Sequence, residues 1–170
     1  MEGCMSAMLG NEPVELSRGL QQLKSEHPPL RDNMNELLRL CQTLEDQSEK
    51  QKLFSQLIND VNIFFQKLEM HSLKEENVLF PMMEKYLGKG QGPVAVMEYE
   101  HEQAKGLIGS FLKNSAATLT EGNLVSQSKK VSDACDLLIN HFAKEEAVLF
   151  PMAEKLFTDA EKKELYEKIQ

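Results

Sequence analysis

The 170-residue chain has no tryptophan, and aromatic residues make up only 6% of it. Whatever core forms therefore contains no indole ring. Its three cysteines, Cys4, Cys41 and Cys135, are odd in number and share no CxxC or CxC spacing. Neither a disulfide framework nor a zinc knuckle is encoded, and reduced thiols of an intracellular protein are expected. No 18 apolar residues run together, and the start "MEGCMSAMLGNEP" lacks a basic segment followed by an apolar one. We therefore expect no membrane span, no secretory leader and a cytoplasmic location. Excess positive charge is also missing: Lys and Arg number 19 against 27 Asp and Glu, a net charge of −8, which argues against nucleic acid or an anionic membrane as partner.

The β-branched alternation that marks strands is absent too. Apolar residues recur at spacings of three and four nearly throughout, so the fold class is all-α. One domain is expected at this length. The segment "VELSRGLQQLKSEH" reads as a weakly amphipathic lead-in that breaks at Pro28 and Pro29, with the first helix over about 28 to 46. A second helix begins near Ser48, its stripe running through Leu53, Leu57, Val61, Phe64, Phe65, Leu68, His71, Glu75, Val78 and Met82. Pro81 should kink it or open a final turn. After the turn "LGKGQGP" come a third helix from about Val94 to Ala117 and a fourth from about Glu121 to Leu149, with Pro151 placed as Pro81 is. Thr158 with Glu161 forms a capping-box pattern for a last short helix. The expected architecture is an antiparallel up-down four-helix bundle over 15–157, preceded by a tail at 1–14 and followed by a C-terminal helix at 158–170.

Two stretches repeat at an offset of seventy: "HSLKEENVLFPMMEKYL" from His71 and "HFAKEEAVLFPMAEKLF" from His141. In each copy a histidine and a glutamate stand four apart, His71 with Glu75 and His141 with Glu145, so both leave one helical face. That face is the apolar one, continued by Val78 and Met82 or by Val148 and Met152. A carboxylate there is costly unless paired or bound to a cation, and Lys74 and Lys144 point elsewhere. His27 and His101 bring the count to one histidine per helix. Four imidazoles and two carboxylates exceed a tetrahedral structural zinc and suit a binuclear metal site with open positions. The candidate metal ligands are His27, His71, Glu75, His101, His141 and Glu145. Glu76 and Glu146, five after a histidine, should be solvated or support a ligand from outside. Glu102 should point away, and Met82, Met83 and Met152 should fill the core. The repeated "LFP" most simply packs and ends the bundle seam.

These residues, with "EHPPLR" at Glu26 and "EHEQAK" at Glu100, resemble the hemerythrin-like HHE cation-binding domain over roughly residues 15 to 157. The resemblance implies two Fe ions, an oxo or hydroxo bridge, His27, His71, His101 and His141 as terminal ligands, and Glu75 and Glu145 as bridges. The same donors also suit Mn or Zn. Oxygen-carrying members have a fifth histidine where this chain has Lys105, and an aspartate five after the last histidine, where this chain uses Glu145 four after. The four-histidine, two-glutamate set is similar to that of proteins that repair iron–sulfur centres, which carry an N-terminal cysteine-pair domain; here only Cys4 lies in that region. Three functions follow as expectations: a module that binds or senses O2, NO or peroxide; an NO reductase or peroxidase with a redox partner; and iron storage or delivery to an apo iron–sulfur protein. Lys105 is expected to extend to solvent rather than into the open site.

Overall fold

A computed structural model describes residues 13–46, 50–115 and 121–170. The helices among them are α1 (Arg18–Asp46), α2 (Lys50–Lys74), α3 (Phe80–Leu87), α4 (Gly92–Asn114), α5 (Glu121–Lys144), α6 (Phe150–Leu156) and α7 (Asp159–Lys168). Two single π-helical turns, π1 (Glu75–Leu79) and π2 (Glu145–Leu149), join α2 to α3 and α5 to α6. The described residues hold no strand. The long rods α1, α2–π1–α3, α4 and α5–π2–α6 form the antiparallel up-down four-helix bundle, in the cyclic order α1, α2, α4, α5. Residues 1–12, which include most of the expected tail and Cys4, lie outside the described residues, as do Ser48 and Ala117.

The first helix starts nine residues before His27, at Arg18, and continues without a break through Pro28 and Pro29. That corrects the expected break. Buried positions Leu20, Leu23, His27, Leu30, Met34, Leu37, Cys41 and Leu44 alternate in steps of three and four across the proline pair, the pattern of one continuous helical stripe. Each proline removes one i→i−4 donor. The carbonyls left without that donor belong to Lys24 and Ser25, both exposed, where water can serve them. Burial on both sides of the prolines then outweighs their local cost.

Pro81 and Pro151 stand in the first turns of α3 and α6, in keeping with the expected opening of a final helical piece. The π-turns precede them: the Phe80 N–H reaches back five residues to Glu75 O, and that of Phe150 to Glu145 O. This wide turn absorbs one extra residue just ahead of the ring that cannot donate. The stripe therefore slips by one. Leu79 and Leu149 are buried where Val78 and Val148 were expected, Val78 is only partly buried, and Val148 is 50% exposed. The Leu-Phe pairs of the "LFP" segments pack inward while Pro81 is exposed, and the rods continue beyond them to Leu87 and Leu156.

Gly88 and Gly90 in the turn before α4, and Gly92 at its first residue, take positive φ, a backbone that a Cβ would strain. Thr158 caps α7 through a complete capping box with Glu161. Helix α7 packs back on α1, where a Cβ on Gly19 would meet Leu165 Cγ at 2.9 Å. The core falls into two apolar clusters. One fills the bundle around Leu57, Phe64, Ile108, Phe111 and Leu138. The other, around Leu20, Leu23, Phe80, Met83, Phe150 and Leu165, closes the end covered by α7. Between them lies a layer of buried polar side chains.

Candidate metal centre

That layer contains His27, His71, Glu75, His101, His141 and Glu145, each at most 3% exposed. All six candidate residues come together. His27 is carried mid-helix by the α1 stripe, His71 and His141 sit in the last turns of α2 and α5, and His101 sits mid-way along α4. Glu75 and Glu145 each open a π-turn, a local geometry that recurs where a side chain must be re-aimed into a site.

The Nε2 atoms face inward and meet carboxylates. Glu75 places Oε1 3.3 Å from His71 Nε2 and Oε2 3.4 Å from His101 Nε2. Glu145 places Oε1 3.0 Å from His141 Nε2 and Oε2 3.2 Å from His27 Nε2. Each glutamate thus spans two histidines of different helices. The ligand atoms form two groups, His27, His71, Glu75, Glu145 and Glu75, His101, His141, Glu145, with all atoms of a group within 4.8 Å of one another. Both glutamates belong to both groups.

The other ring nitrogen of every histidine is already engaged. Nδ1 of His27 meets Glu146 Oε1 at 2.7 Å, that of His71 meets Glu26 Oε2 at 2.8 Å, that of His101 meets Glu76 Oε1 at 2.8 Å, and that of His141 meets Glu100 Oε2 at 2.9 Å. A ring that gives its N–H to a carboxylate through Nδ1 keeps Nε2 as a lone pair. Acceptors then converge on acceptors. Both oxygens of Glu75 and of Glu145, with Nε2 of His101 and His141, are buried without a hydrogen-bond partner. Such an arrangement is strongly unfavourable unless positive charge lies among these atoms. Divalent cations can supply that charge, and imidazole with carboxylate is a donor set that Fe, Mn and Zn accept.

Protons compete for the same place. Burial alone would lower the pKa of His71, but the charge of Glu75 and the bond to Glu26 outweigh it and push it up to about 10. Burial of His101 is likewise outweighed by Glu75 and Glu76, and its pKa rises to about 9. Glu75, although burial would raise it, is held far below the usual carboxylate range by His71 and His101. The site draws in cations of either kind.

Sequence reasoning missed Glu26 and Glu100, which stand one residue before His27 and His101 yet bind His71 and His141. The only local signal is that both "EH" pairs carry a glutamate there. The expected supporting role of Glu76 and Glu146 matches their bonds to His101 and His27. Glu102 is exposed. Lys105 departs from expectation: its ammonium neither runs free to solvent nor stands apart as a filled gap, but bonds Glu76 Oε1 at 2.8 Å and Glu69 Oε1 at 3.0 Å. The negative field of these partners outweighs what burial would do and raises its pKa. No helix among the described residues is long and apolar enough to cross a membrane.

The iron–sulfur cluster repair protein YtfE of Escherichia coli is 28% identical to this chain over 134 residues, covering 75% of this chain and 60% of that protein. The protein of the same name from Citrobacter koseri is 29% identical, and that from Shigella boydii 28%, over the same coverage. The chain thus spans about 60% of the length of these relatives. A family model, hemerythrin HHE cation binding domain, matches residues 18–153. Since that stretch holds nearly all of the four long rods and all six converging side chains, the chain belongs to the hemerythrin family of HHE cation-binding domains.

Proposed function

We propose that this protein is a non-haem di-iron protein whose open coordination positions meet O2, NO or peroxide. His27 and His71 would hold one iron, His101 and His141 the other, with Glu75 and Glu145 bridging both. The observation that carries this reading is the buried convergence of four carboxylate oxygens, none with a hydrogen-bond partner, on the Nε2 atoms of four histidines. Two ferrous ions held by these residues would supply two electrons for reduction of a diatomic ligand.

The chain's own residues do the rest. The outer glutamates hold each Nδ1 proton, so that Nε2 stays the coordinating atom. Phe142 stacks on the His27 ring at 4.1 Å between centroids, and the two apolar clusters keep bulk water from the layer. Turnover as an NO reductase or peroxidase would draw electrons from a redox partner; sensing or scavenging would need none. The buried thiols of Cys41 and Cys135 suit a reducing compartment, in keeping with the cytoplasm.

A second reading, delivery of iron to a damaged iron–sulfur protein, is favoured by the names of the relatives. It would appear as iron that transfers from this chain to an apo acceptor. Mn and Zn fit the same donors, and intrinsic affinity favours Zn over Fe; the assignment of iron rests on the relatives. Metal analysis of anaerobically purified protein, with optical spectra before and after O2 and then NO, tests the proposal beside Glu75→Ala and Glu145→Ala. About two irons per chain, with bands that depend on both glutamates, is the expected result. A single zinc, or metal retained by both variants, would overturn it.

A further inference from the structure

The outer glutamates run in one direction round the bundle. Glu26 of α1 binds His71 of α2; Glu76, in the π-turn after α2, binds His101 of α4; Glu100 of α4 binds His141 of α5; and Glu146, in the π-turn after α5, binds His27 of α1. With that last contact the circuit closes. Each carboxylate also takes a cation from the helix whose histidine it holds: Lys74 for Glu26, Lys105 for Glu76, Lys144 for Glu100 and Arg31 for Glu146. Arg31 and Lys105 each stand four after their histidine, and Lys74 and Lys144 each stand three after theirs.

Four surface ion pairs would by themselves contribute little. Here each carboxylate is partly buried and shared with an imidazole that is at most 3% exposed, and the same three-part unit recurs at every seam. A carboxylate already shared with an ammonium or guanidinium accepts the Nδ1–H without pulling the proton off the ring. Neutral imidazole with Nε2 directed inward is the form a divalent cation needs.

We propose that Glu26, Glu76, Glu100 and Glu146, each clasped by its cation, form a closed ring of positioning residues in which every helix fixes the metal-binding histidine of the next. Lys105 then belongs to the ring as the counterpart of Arg31. The ring rests on the reading that the inner residues hold metal. It carries a non-local consequence: loss of Glu100 disturbs His141, forty-one residues away, and spares its neighbour His101.

The zinc-loaded full chain tests this, because zinc is diamagnetic and brings no redox chemistry. Its imidazole Nδ1–H protons are expected as four low-field resonances protected from exchange with water. Glu100→Ala should remove the His141 resonance alone and weaken zinc binding about tenfold or more, while Glu100→Gln, which keeps an acceptor, should restore the resonance. Lys144→Met, at a half-exposed position, should speed exchange of that same proton at least about fivefold. Loss of the His101 resonance instead, or four unchanged resonances and zinc affinity within about twofold of the unaltered chain, would overturn the ring. If the unaltered chain binds neither zinc nor ferrous iron, the metal reading fails and the ring with it; if it binds both and the variants behave alike, the ring alone fails.

Discussion

Nε2 of His27 and Nε2 of His71 lie 3.2 Å apart, though both rings already direct Nδ1 at carboxylates. Two lone pairs at that distance repel unless a proton or a metal ion lies between or beside them. Metal loading should therefore displace protons. At pH 7.5 we expect on the order of two released per chain, from groups such as His71 and His101 that the empty cluster keeps charged. Calorimetric titration in two buffers of different ionisation enthalpy counts them, and release of none would contradict the role of these rings.

The same groups set the pH dependence of the metal-free fold. His71 at about 10 and His101 at about 9 lie above the ordinary imidazole value of 6.5. The stabilisation from their protonated forms is complete below pH 6.5 and is lost as pH rises through 9 to 10. Glu75 is depressed, so its contribution is present above its ordinary 4.5 and fades only as pH falls. Metal-free protein should melt several degrees lower at pH 9 than at pH 6.5, and metal-loaded protein should lose less over that interval. A metal-free melting temperature that rises with pH would run against this.

Register across the π-turn is open to a paired substitution. Val148 is 50% exposed and Leu149 1%. Val148→Lys should change stability by less than about 0.5 kcal/mol, whereas Leu149→Ala should cost about 2–5 kcal/mol. Urea unfolding separates the two, and the reverse order would mean that the rod continues as an unbroken α-helix.

Close approach of α7 to α1 depends on the missing side chain of Gly19. A Cβ there would stand 2.9 Å from Leu165 Cγ and 3.1 Å from the backbone nitrogen of Tyr166. Gly19→Leu should cost about 1–3 kcal/mol by forcing the helices apart, and amide exchange should quicken first along α7. Uniform exchange rates with unchanged stability would show that α7 does not need this contact.

The helical character, the four rods and the six inner side chains were legible because a three-four repeat carries them all. Residues that depend on something other than that repeat were not. His27 was placed at a helix start because the proline pair gives a strong local signal, while the stripe through Leu20 and Leu23 on its far side is the stronger tertiary one. A π-turn leaves no mark in a pattern assumed to advance by 3.6 residues, so Val78 and Val148 were assigned the places of Leu79 and Leu149. Glu26 and Glu100 act across a seam between helices, and spacing within one helix says nothing of that. Lys105 was weighed against solvent and the open site, but its partners, Glu69 and Glu76, lie on the neighbouring rod.

The polar layer is walled along the bundle axis on both sides, by the apolar fill around Phe64 and Phe111 below it and by the apolar closure around Leu20, Phe80 and Leu165 above. Traffic along the axis is blocked at both ends. The approaches that remain run sideways between two rods, and at each such seam a glutamate and its cation stand across the way.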